Sequence, residues 1–248
     1  MQQYFVNGRA PQGIFQISDK DTAKHMFSVM RLQADDQIVL VFDDGIKRLA
    51  RVVDSQSQSI EVIEELADNV ELPVSVTIAM GFPKGDKLEF VAQKATELGM
   101  SALLAFPADW SVVKWDGKKL AKKEEKLSKI AQGAAEQSKR NVIPQVKLFE
   151  KKAAFLAELE QFDKIFVAYE ESAKEGETAV LARELSQMKS GEKILFIFGP
   201  EGGISPEEIE AFESKGGLKI GLGPRIMRAE TAPLYALSST SYALELMK

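Results

Sequence analysis

The residue types that could do chemistry are limited in this chain of 248 residues, which has no cysteine and a single histidine, His25. Without cysteine there is no disulfide, no thiolate nucleophile, no zinc–thiolate site and no iron–sulfur cluster. One histidine excludes a multi-histidine metal site and would have to serve alone in a Ser-His-Asp hydrolase. We therefore expect no metal. Any catalysis must use carboxylates, arginines, lysines, backbone amides or an organic cofactor.

A glycine-rich loop is the sharpest candidate for a ligand site. Residues 194–198 predict a buried strand, and Gly-Pro-Glu-Gly-Gly follows at 199–203. Ser205, Pro206 and Glu208 then match a helix start with a capping box. Glycines let backbone approach a ligand without Cβ interference, and ligands of open α/β sheets bind beyond the carboxyl ends of strands. The alternative is a merely tight turn. The spacing is neither the Rossmann fingerprint nor the P-loop.

A second unusual segment spans residues 220–233 and joins a short predicted strand to a C-terminal helix. Arg225, Arg228 and Glu230 are crowded within six residues, between glycines and a predicted cap at Thr231. This crowding favours a polar site beside the glycine-rich loop. The alternative is an ordinary helix N-terminus with local ion pairing.

The charge distribution contains one basic segment inside an acidic chain. The chain has 37 acidic and 32 basic side chains, whereas residues 111–152 contain 12 basic and five acidic ones. Much of that segment is predicted to form a long helix over 118–140. Such a patch indicates either an anionic partner or a solvated lysine-rich helix face.

The pattern of apolar residues changes near Leu72-Pro73, where proline disfavours helix for the preceding residue. The residues before it predict short strands, including a hairpin around Gly45, and thus a small β-barrel. After it, predicted strands at 74–80, 102–106, 164–168 and 193–198 alternate with helices, one starting at Asp86 with Glu89 as a possible capping partner and one near 178–188. This alternation predicts a mostly parallel sheet covered by helices.

Targeting and membrane signals are not found in the sequence. No run of about 18 apolar residues is present, and the N-terminus lacks a basic segment followed by an apolar stretch. Together with the missing cysteines, this predicts a protein of a reducing, cytoplasmic setting that does not bind a membrane.

Two blocks of sequence resemble one family. Phe-Gly-Pro-Glu-Gly-Gly at 198–203 and Leu-Gly-x-Arg-Ile-Met-Arg-x-Glu-Thr-Ala at 222–232 closely resemble the SPOUT-class methyltransferases of the RsmE type. Shorter blocks at 4–6, 94–99 and 134–140 are also similar to that family. The sequence departs from the family pattern at Asp35, where members usually have glycine.

The resemblance implies an α/β protein with two domains. Residues 1–72 would form a PUA-like β-barrel that binds RNA, and residues 73–248 a SPOUT methyltransferase domain with a deep trefoil knot. The family uses S-adenosylmethionine to methylate N3 of a uridine in 16S ribosomal RNA of the small ribosomal subunit, and acts as a homodimer.

The resemblance, together with the crowding of charged residues, also suggests roles for individual residues. Arg228 or Arg225 would stabilise the uracil anion, while Glu230 or Glu201 would orient the base or accept its proton. The cofactor residues would be Phe198, Gly199, Pro200, Gly202, Gly203, Leu222, Gly223, Ile226, Met227, Thr231 and Ala232. The RNA contacts would be Arg31, Lys122, Lys123, Lys126, Lys139 and Arg140.

Three other functions compete with this hypothesis. The chain could be a non-catalytic RNA-binding assembly factor that keeps the fold without methyl transfer. It could be a related SPOUT enzyme that acts on tRNA or large-subunit RNA. It could also be a small-molecule α/β enzyme that uses the glycine-rich loop for a nucleotide, which predicts no dependence on RNA.

Overall fold

The computed structural model of the protein describes residues 1–169 and 179–247. They divide into two compact units, Met1–Glu71 with Ala135–Ile143, and Leu72–Ala134 with Pro144–Lys248. This division differs from the predicted one at 1–72 and 73–248 because the segment Ala135–Ile143 belongs to the first unit.

The first unit is built on a five-stranded sheet in the order β1-β3-β4-β5-β2, antiparallel except between β1 and β3. Its strands are β1 (Gln3–Phe5), β2 (Ile14–Gln16), β3 (Gln37–Val41), β4 (Lys47–Asp54) and β5 (Ser59–Glu65). Helix α1 (Lys20–Lys24) and a π-helical turn (His25–Val29) precede β3. The predicted hairpin is confirmed, since β3 and β4 pair across a turn in which Gly45 has a φ of +71°. That φ is one that glycine adopts at little cost.

A buried ion pair holds the segment Ala135–Ile143 within the first unit. The Arg140 side chain is 3% exposed, and its Nε donates to both oxygens of the Glu71 carboxylate at 2.9 Å. The backbone N–H of Asn141 donates to the same carboxylate at 2.7 Å. The predicted contact of Arg140 with RNA stays a prediction that the structure does not favour, because the guanidinium is buried against the Glu71 carboxylate.

The second unit contains a six-stranded sheet in the order β11-β9-β10-β6-β7-β8. All neighbouring strands are parallel, as predicted from the alternating pattern. The strands are β6 (Ser75–Gly81), β7 (Ala102–Phe106), β8 (Gln145–Leu148), β9 (Lys164–Ala168), β10 (Lys193–Phe198) and β11 (Gly217–Ile220). The short edge strand β8 was not predicted, because only two of its four residues are apolar.

Helices separate most of these strands. They are α2 (Lys87–Glu97), α3 (Gly117–Gln137), α4 (Lys152–Glu158), α5 (Ala179–Ser186), α6 (Pro206–Glu213) and α7 (Ala232–Ser241), the last followed by a π-helical turn (Tyr242–Leu246). Helix α3 is shorter than the predicted 118–140. The helix predicted near 178–188 matches α5, although Thr178 lies outside the described residues. No helix among the described residues is long and apolar enough to cross a membrane.

The cap predicted at Asp86 is wrong. Helix α2 starts after Asp86, but the Asp86 side chain makes no capping hydrogen bond. The Glu89 carboxylate, expected to complete a capping box, instead accepts hydrogen bonds from Lys123 and Lys126. Tertiary ion pairs with α3 have therefore replaced the expected local capping bond.

The parallel sheet is buried on both faces. Along β10, Ile194, Phe196 and Phe198 belong to one hydrophobic cluster, while Leu195 and Ile197 belong to the other. Successive side chains of a strand point to opposite faces, so an uninterrupted apolar strand requires cover on both sides. Because the strands are parallel, the loops that follow them meet at one edge of the sheet.

Candidate functional site

The carboxyl edge of the parallel sheet carries a cavity of about 640 Å³, here called the first cavity. This volume lies within the range typical of small-molecule sites, roughly 300–1,000 Å³. Its lining comes from the first residue of α2, from the segment after β7, from the last residues of β9 and β10 and the loops after them, and from the segment that leads into α7. The lining residues are Lys87, Trp110, Ala168, Tyr169, Phe198, Gly199, Pro200, Glu201, Gly202, Gly203, Ile204, Ile226, Met227, Arg228, Ala229 and Ala232.

The glycine loop at 199–203 depends on its glycines for steric reasons. A Cβ at Gly199 would overlap the Gly203 carbonyl and lie 2.9 Å from the Gly203 Cα atom. Gly203 has a φ of +86°, and its N–H donates to the Pro200 carbonyl at 2.9 Å. The predicted capping box follows, with Ser205 and Glu208 bonded reciprocally at the start of α6. The loop is thus a tight turn that exposes backbone to the first cavity.

A second cavity of about 430 Å³ adjoins the first and shares five lining residues with it. Gly223, which lines it, has a φ of +92°, a conformation that residues other than glycine rarely adopt. Its lining is Ala168, Tyr169, Ile220, Leu222, Gly223, Pro224, Arg225, Ile226, Met227 and Ala232. Arg225 is the single ionisable side chain in this lining other than the Tyr169 phenol.

The structure brings together nearly all the predicted catalytic and cofactor residues, since every one except Glu230 and Thr231 lines one of the two cavities. Thr231 occupies the N-cap position of α7 but makes no side-chain capping bond. Glu201 and Arg228 line the first cavity, whereas Arg225 lines the second. The two arginines, between which the sequence offered no choice for the catalytic role, therefore line different cavities.

A lysine bridges the two predicted carboxylates. Lys87 Nζ lies 2.8 Å from Glu201 Oε1 and 3.5 Å from Glu230 Oε2. Burial acts to raise the pKa of Glu201, but hydrogen bonds from Lys87 and from backbone N–H groups, including that of Lys84, hold this pKa below its ordinary value. The Glu201 carboxylate in turn raises the pKa of Lys87. Glu230 Oε2 is buried and makes no hydrogen bond to any described residue.

Among the residues of the first cavity that were not predicted from the sequence, three have side chains with polar or aromatic groups: Lys87, Trp110 and Tyr169. Each lies shortly after a strand that was predicted correctly, namely β6, β7 and β9. Since the carboxyl ends of parallel strands meet at one edge, that position was a usable signal. Their residue types alone gave no reason to choose them.

The predicted RNA contacts have different surroundings. Lys123 and Lys126 both bind the Glu89 carboxylate, at 2.8 and 2.7 Å. Lys122, on the same helix, is exposed and no ion pair is found for it among the described residues. Lys139 donates from Nζ to the Met1 carbonyl at 2.9 Å.

Arg31 is exposed and has a φ of +55°, so its backbone is in the left-handed region. With Lys122, it is the predicted RNA contact whose side chain is least engaged within the part of the chain that the structure describes.

The described residues contain no group of three or more histidine or carboxylate side chains arranged to hold a metal ion.

Comparison with known proteins identifies both units. A family model described as an RNA methyltransferase domain matches residues 70–241, and one described as an RNA methyltransferase PUA domain matches residues 17–65. The predicted architecture of a PUA-like domain followed by an α/β methyltransferase domain is confirmed. The trefoil knot stays a prediction.

Named relatives match along nearly their whole length. The ribosomal RNA small subunit methyltransferase E of Bacillus subtilis is 44% identical over 100% of this chain and 99% of its own. The protein of the same name from Mycobacterium bovis is 28% identical over 95% of this chain and 89% of its own. A crystal structure of a ribosomal RNA small subunit methyltransferase E from Neisseria gonorrhoeae bound to S-adenosylmethionine has a TM-score of 0.80 and 25% identity, covering 97% of each chain. The chain belongs to the ribosomal RNA small subunit methyltransferase E family.

Proposed function

We propose that this protein transfers a methyl group from S-adenosylmethionine to N3 of a uridine in 16S ribosomal RNA of the small ribosomal subunit, in the cytoplasm. The observation that carries the proposal is the pair of adjoining cavities at the glycine loop. The first is lined by Lys87, Glu201 and Arg228, and the second has Arg225 as the single charged side chain in its lining. The names of its relatives, and the S-adenosylmethionine bound to the Neisseria protein, support the same reaction.

The second cavity and the glycine loop fit the adenosine part of the cofactor. Positive φ at Gly203 and Gly223, and the steric need for glycine at 199, leave backbone groups open to a ligand. S-adenosylmethionine has no phosphates to neutralise, which suits a lining with few cations, and it supplies an electrophilic methyl group on a sulfonium. The backbone of Gly199, Gly203, Leu222, Gly223, Ile226 and Met227 would hold the adenosine, with Phe198, Pro200, Gly202, Thr231 and Ala232 around it.

The first cavity carries the charges that a uracil N3 requires. N3 is a weakly acidic imide nitrogen, so its deprotonated form needs electrostatic stabilisation. Arg228 lines this cavity beside Glu201 and is therefore better placed than Arg225 to donate toward a uracil oxygen. Glu201 lines the first cavity and is paired with Lys87, whereas Glu230 does not line it, so Glu201 is the stronger candidate to accept the proton. Glu230, which shares Lys87, would hold the lysine in place.

RNA would be held by charges outside the cavities and by the PUA-like domain. Arg31 and Lys122 are exposed and are the candidates for phosphate contacts. Phosphate contacts position RNA without specifying its sequence, so the choice of uridine must come from the PUA-like domain and the first cavity. Substituting Lys122 together with Lys126 should lower RNA affinity and reduce the slope of log affinity against log salt. An unchanged slope would mean that these lysines form an ordinary solvated helix face and do not contact RNA phosphates.

The proposed functional form is a homodimer. Apolar side chains at the C-terminus are exposed, among them Tyr235 in α7 and Tyr242, Leu246 and Met247 after it. They lie at or near a wide surface cavity of about 890 Å³ that also includes residues of α5. A Tyr242→Glu variant should weaken a dimer, as measured by light scattering after gel filtration. A wild-type protein that remains monomeric at high concentration would contradict this part of the proposal.

The decisive experiment is a methyl-transfer assay. Purified protein, S-adenosylmethionine labelled in its methyl group, and small ribosomal subunits lacking the modification should give labelled 16S RNA, whose modified base is identified as N3-methyluridine by mass spectrometry. Arg228→Ala and Glu201→Gln should each slow single turnover by at least about 100-fold. No transfer by the wild-type protein would favour the assembly-factor alternative. Label in tRNA or large-subunit RNA would favour a different SPOUT substrate.

A further inference from the structure

A tryptophan side chain is exposed at the first cavity. Trp110 follows β7 and is 47% exposed although it lines the cavity. Indole rings contribute most to stability when they are buried, so a half-exposed indole at a cavity is typical of a binding surface. No step described above uses this ring.

The glycine loop leaves room for the indole. A Cβ at Gly202 would lie 3.0 Å from the Trp110 Cβ atom, and a Cβ at Gly203 would lie 3.6 Å from Cζ3 of the ring. The ring therefore lies against glycine backbone that forms the wall of the cavity. A larger residue at position 202 would push Trp110 away from the cavity.

The backbone beside Trp110 is fixed by a polar network. The N–H of Asp109 donates to Glu208 Oε1 at 3.0 Å, and the Asp109 carboxylate accepts hydrogen bonds from Ser205 Oγ, at 2.7 Å, and from Lys152. Lys152 also pairs with Glu208 at 3.0 Å, and Glu208 is buried. Because both partners of Asp109 on α6 also form its capping box, the indole is presented from a rigid position.

We propose that Trp110 is the stacking platform for the nucleobase that enters the first cavity, a pyrimidine of single-stranded RNA. Enzymes that modify a base take it out of the helical stack, and unstacked bases are bound on aromatic rings. The ring lies in the cavity that holds Lys87, Glu201 and Arg228 and does not line the second cavity. This proposal rests on the proposed function and adds the residue that holds the substrate base.

Kinetics of the full-length enzyme test the stacking. Alanine substitution of a stacking residue weakens binding by about 5- to 150-fold per base. We expect Trp110→Leu to raise KM for unmodified small subunits by a factor in that range, and Trp110→Phe to recover most of the loss. The dissociation constant for S-adenosylmethionine, measured by calorimetry, should change less than about twofold. Equal KM values for wild type and Trp110→Leu would overturn the proposal.

Fluorescence provides a second measurement that does not depend on turnover. The chain has two tryptophans, and the second, Trp115, packs against Phe82 with ring centroids 4.4 Å apart. The difference in emission between wild type and Trp110→Phe thus reports on Trp110. We expect a uridine hexanucleotide to quench this Trp110 emission, and a hexanucleotide without bases to leave it unchanged. Equal quenching by both would overturn the proposal.

Two further outcomes would also contradict it. Quenching of Trp110 by S-adenosylmethionine alone would assign the ring to the cofactor, and emission that changes with protein concentration would assign it to a contact between copies. Failure of the proposed function is distinguishable, because the wild-type protein would then transfer no methyl group at all. Failure of the stacking proposal would leave that transfer intact in Trp110→Leu.

Discussion

Lys87 Nζ lies 2.8 Å from Glu201 Oε1 and joins the start of α2 to the glycine loop. The same ammonium is 3.5 Å from Glu230 Oε2, in the loop before α7. One lysine therefore connects three loops at the carboxyl edge of the sheet. It pairs with both candidate carboxylates, and its hydrogen bond acts to lower the pKa of Glu201 against the effect of burial.

We expect Lys87→Met to change the pH dependence of methyl transfer. Lys87 lowers the pKa of Glu201, and burial, which acts in the opposite direction, remains in the variant. The pKa of Glu201 should therefore rise, and the acidic limb of the single-turnover rate should move to higher pH. Arg228, which lines the same cavity, and Glu230, which also pairs with Lys87, are not altered in the variant.

Single-turnover rates on unmodified small subunits across pH check this prediction. At the acidic end Lys87→Met should be slower than wild type by about tenfold or more. Lys87→Arg retains a cation and serves as the matched control. The acidic limb of its pH–rate profile should lie close to that of the wild type. Superimposable profiles for Lys87→Met and wild type would show that the lysine does not control the ionisation of the proton acceptor.

Gly199→Ala should impair cofactor binding. The added methyl group would overlap the Gly203 carbonyl and force the glycine loop to shift. We expect the affinity for S-adenosylmethionine to fall by about tenfold or more, equivalent to about 1.4 kcal/mol. Gly133→Ala is the control, because a Cβ there meets no atom within 4 Å and the residue lies inside α3. Calorimetric titration of both variants distinguishes the two sites, and equal affinities would refute the steric account.

Arg140→Met should destabilise the protein without acting through RNA. Removing the guanidinium leaves the partly buried Glu71 carboxylate with backbone N–H donors alone, at a cost of about 1–3 kcal/mol. Hydrogen exchange should show the largest loss of protection within Met1–Glu71 and Ala135–Ile143. Lys122→Met, which changes an exposed side chain, should alter stability by less than about 0.5 kcal/mol. Similar losses for both variants would mean that Arg140 is not a structural residue.

Asp35→Gly should stabilise the first unit. Asp35 has a φ of +71°, which explains why glycine suits this position. Relief of the left-handed conformation should raise the free energy of unfolding by up to about 1 kcal/mol. The partner Arg51, 3.5 Å away, forms an exposed ion pair that contributes little. Urea unfolding measures the change, and a loss of stability would mean that this ion pair outweighs the strain.

Local signals allowed several features to be predicted from sequence. The strand β10, the glycine loop and the Ser205 capping box follow from an apolar run, from glycines and from cap residues whose spacing is fixed along the chain. The two-domain architecture followed from a change of periodicity, and the reaction from a resemblance between short blocks. Caps expected at Asp86 and Thr231 were wrong because their side chains make no capping bond.

By itself, the sequence determined which glycine-bearing loops line the candidate site, since turn geometry and strand order depend on neighbouring residues and on periodicity. Only the tertiary structure decided which charges meet. Arg140 pairs with Glu71, 69 residues away, and so is buried, and Lys123 and Lys126 are bound to Glu89 on another helix. Lys87 and Trp110 became part of the site because parallel strands bring distant loops to one edge. These ion pairs join residues that are far apart in the chain and act through space over a few ångströms, so no local spacing encodes them.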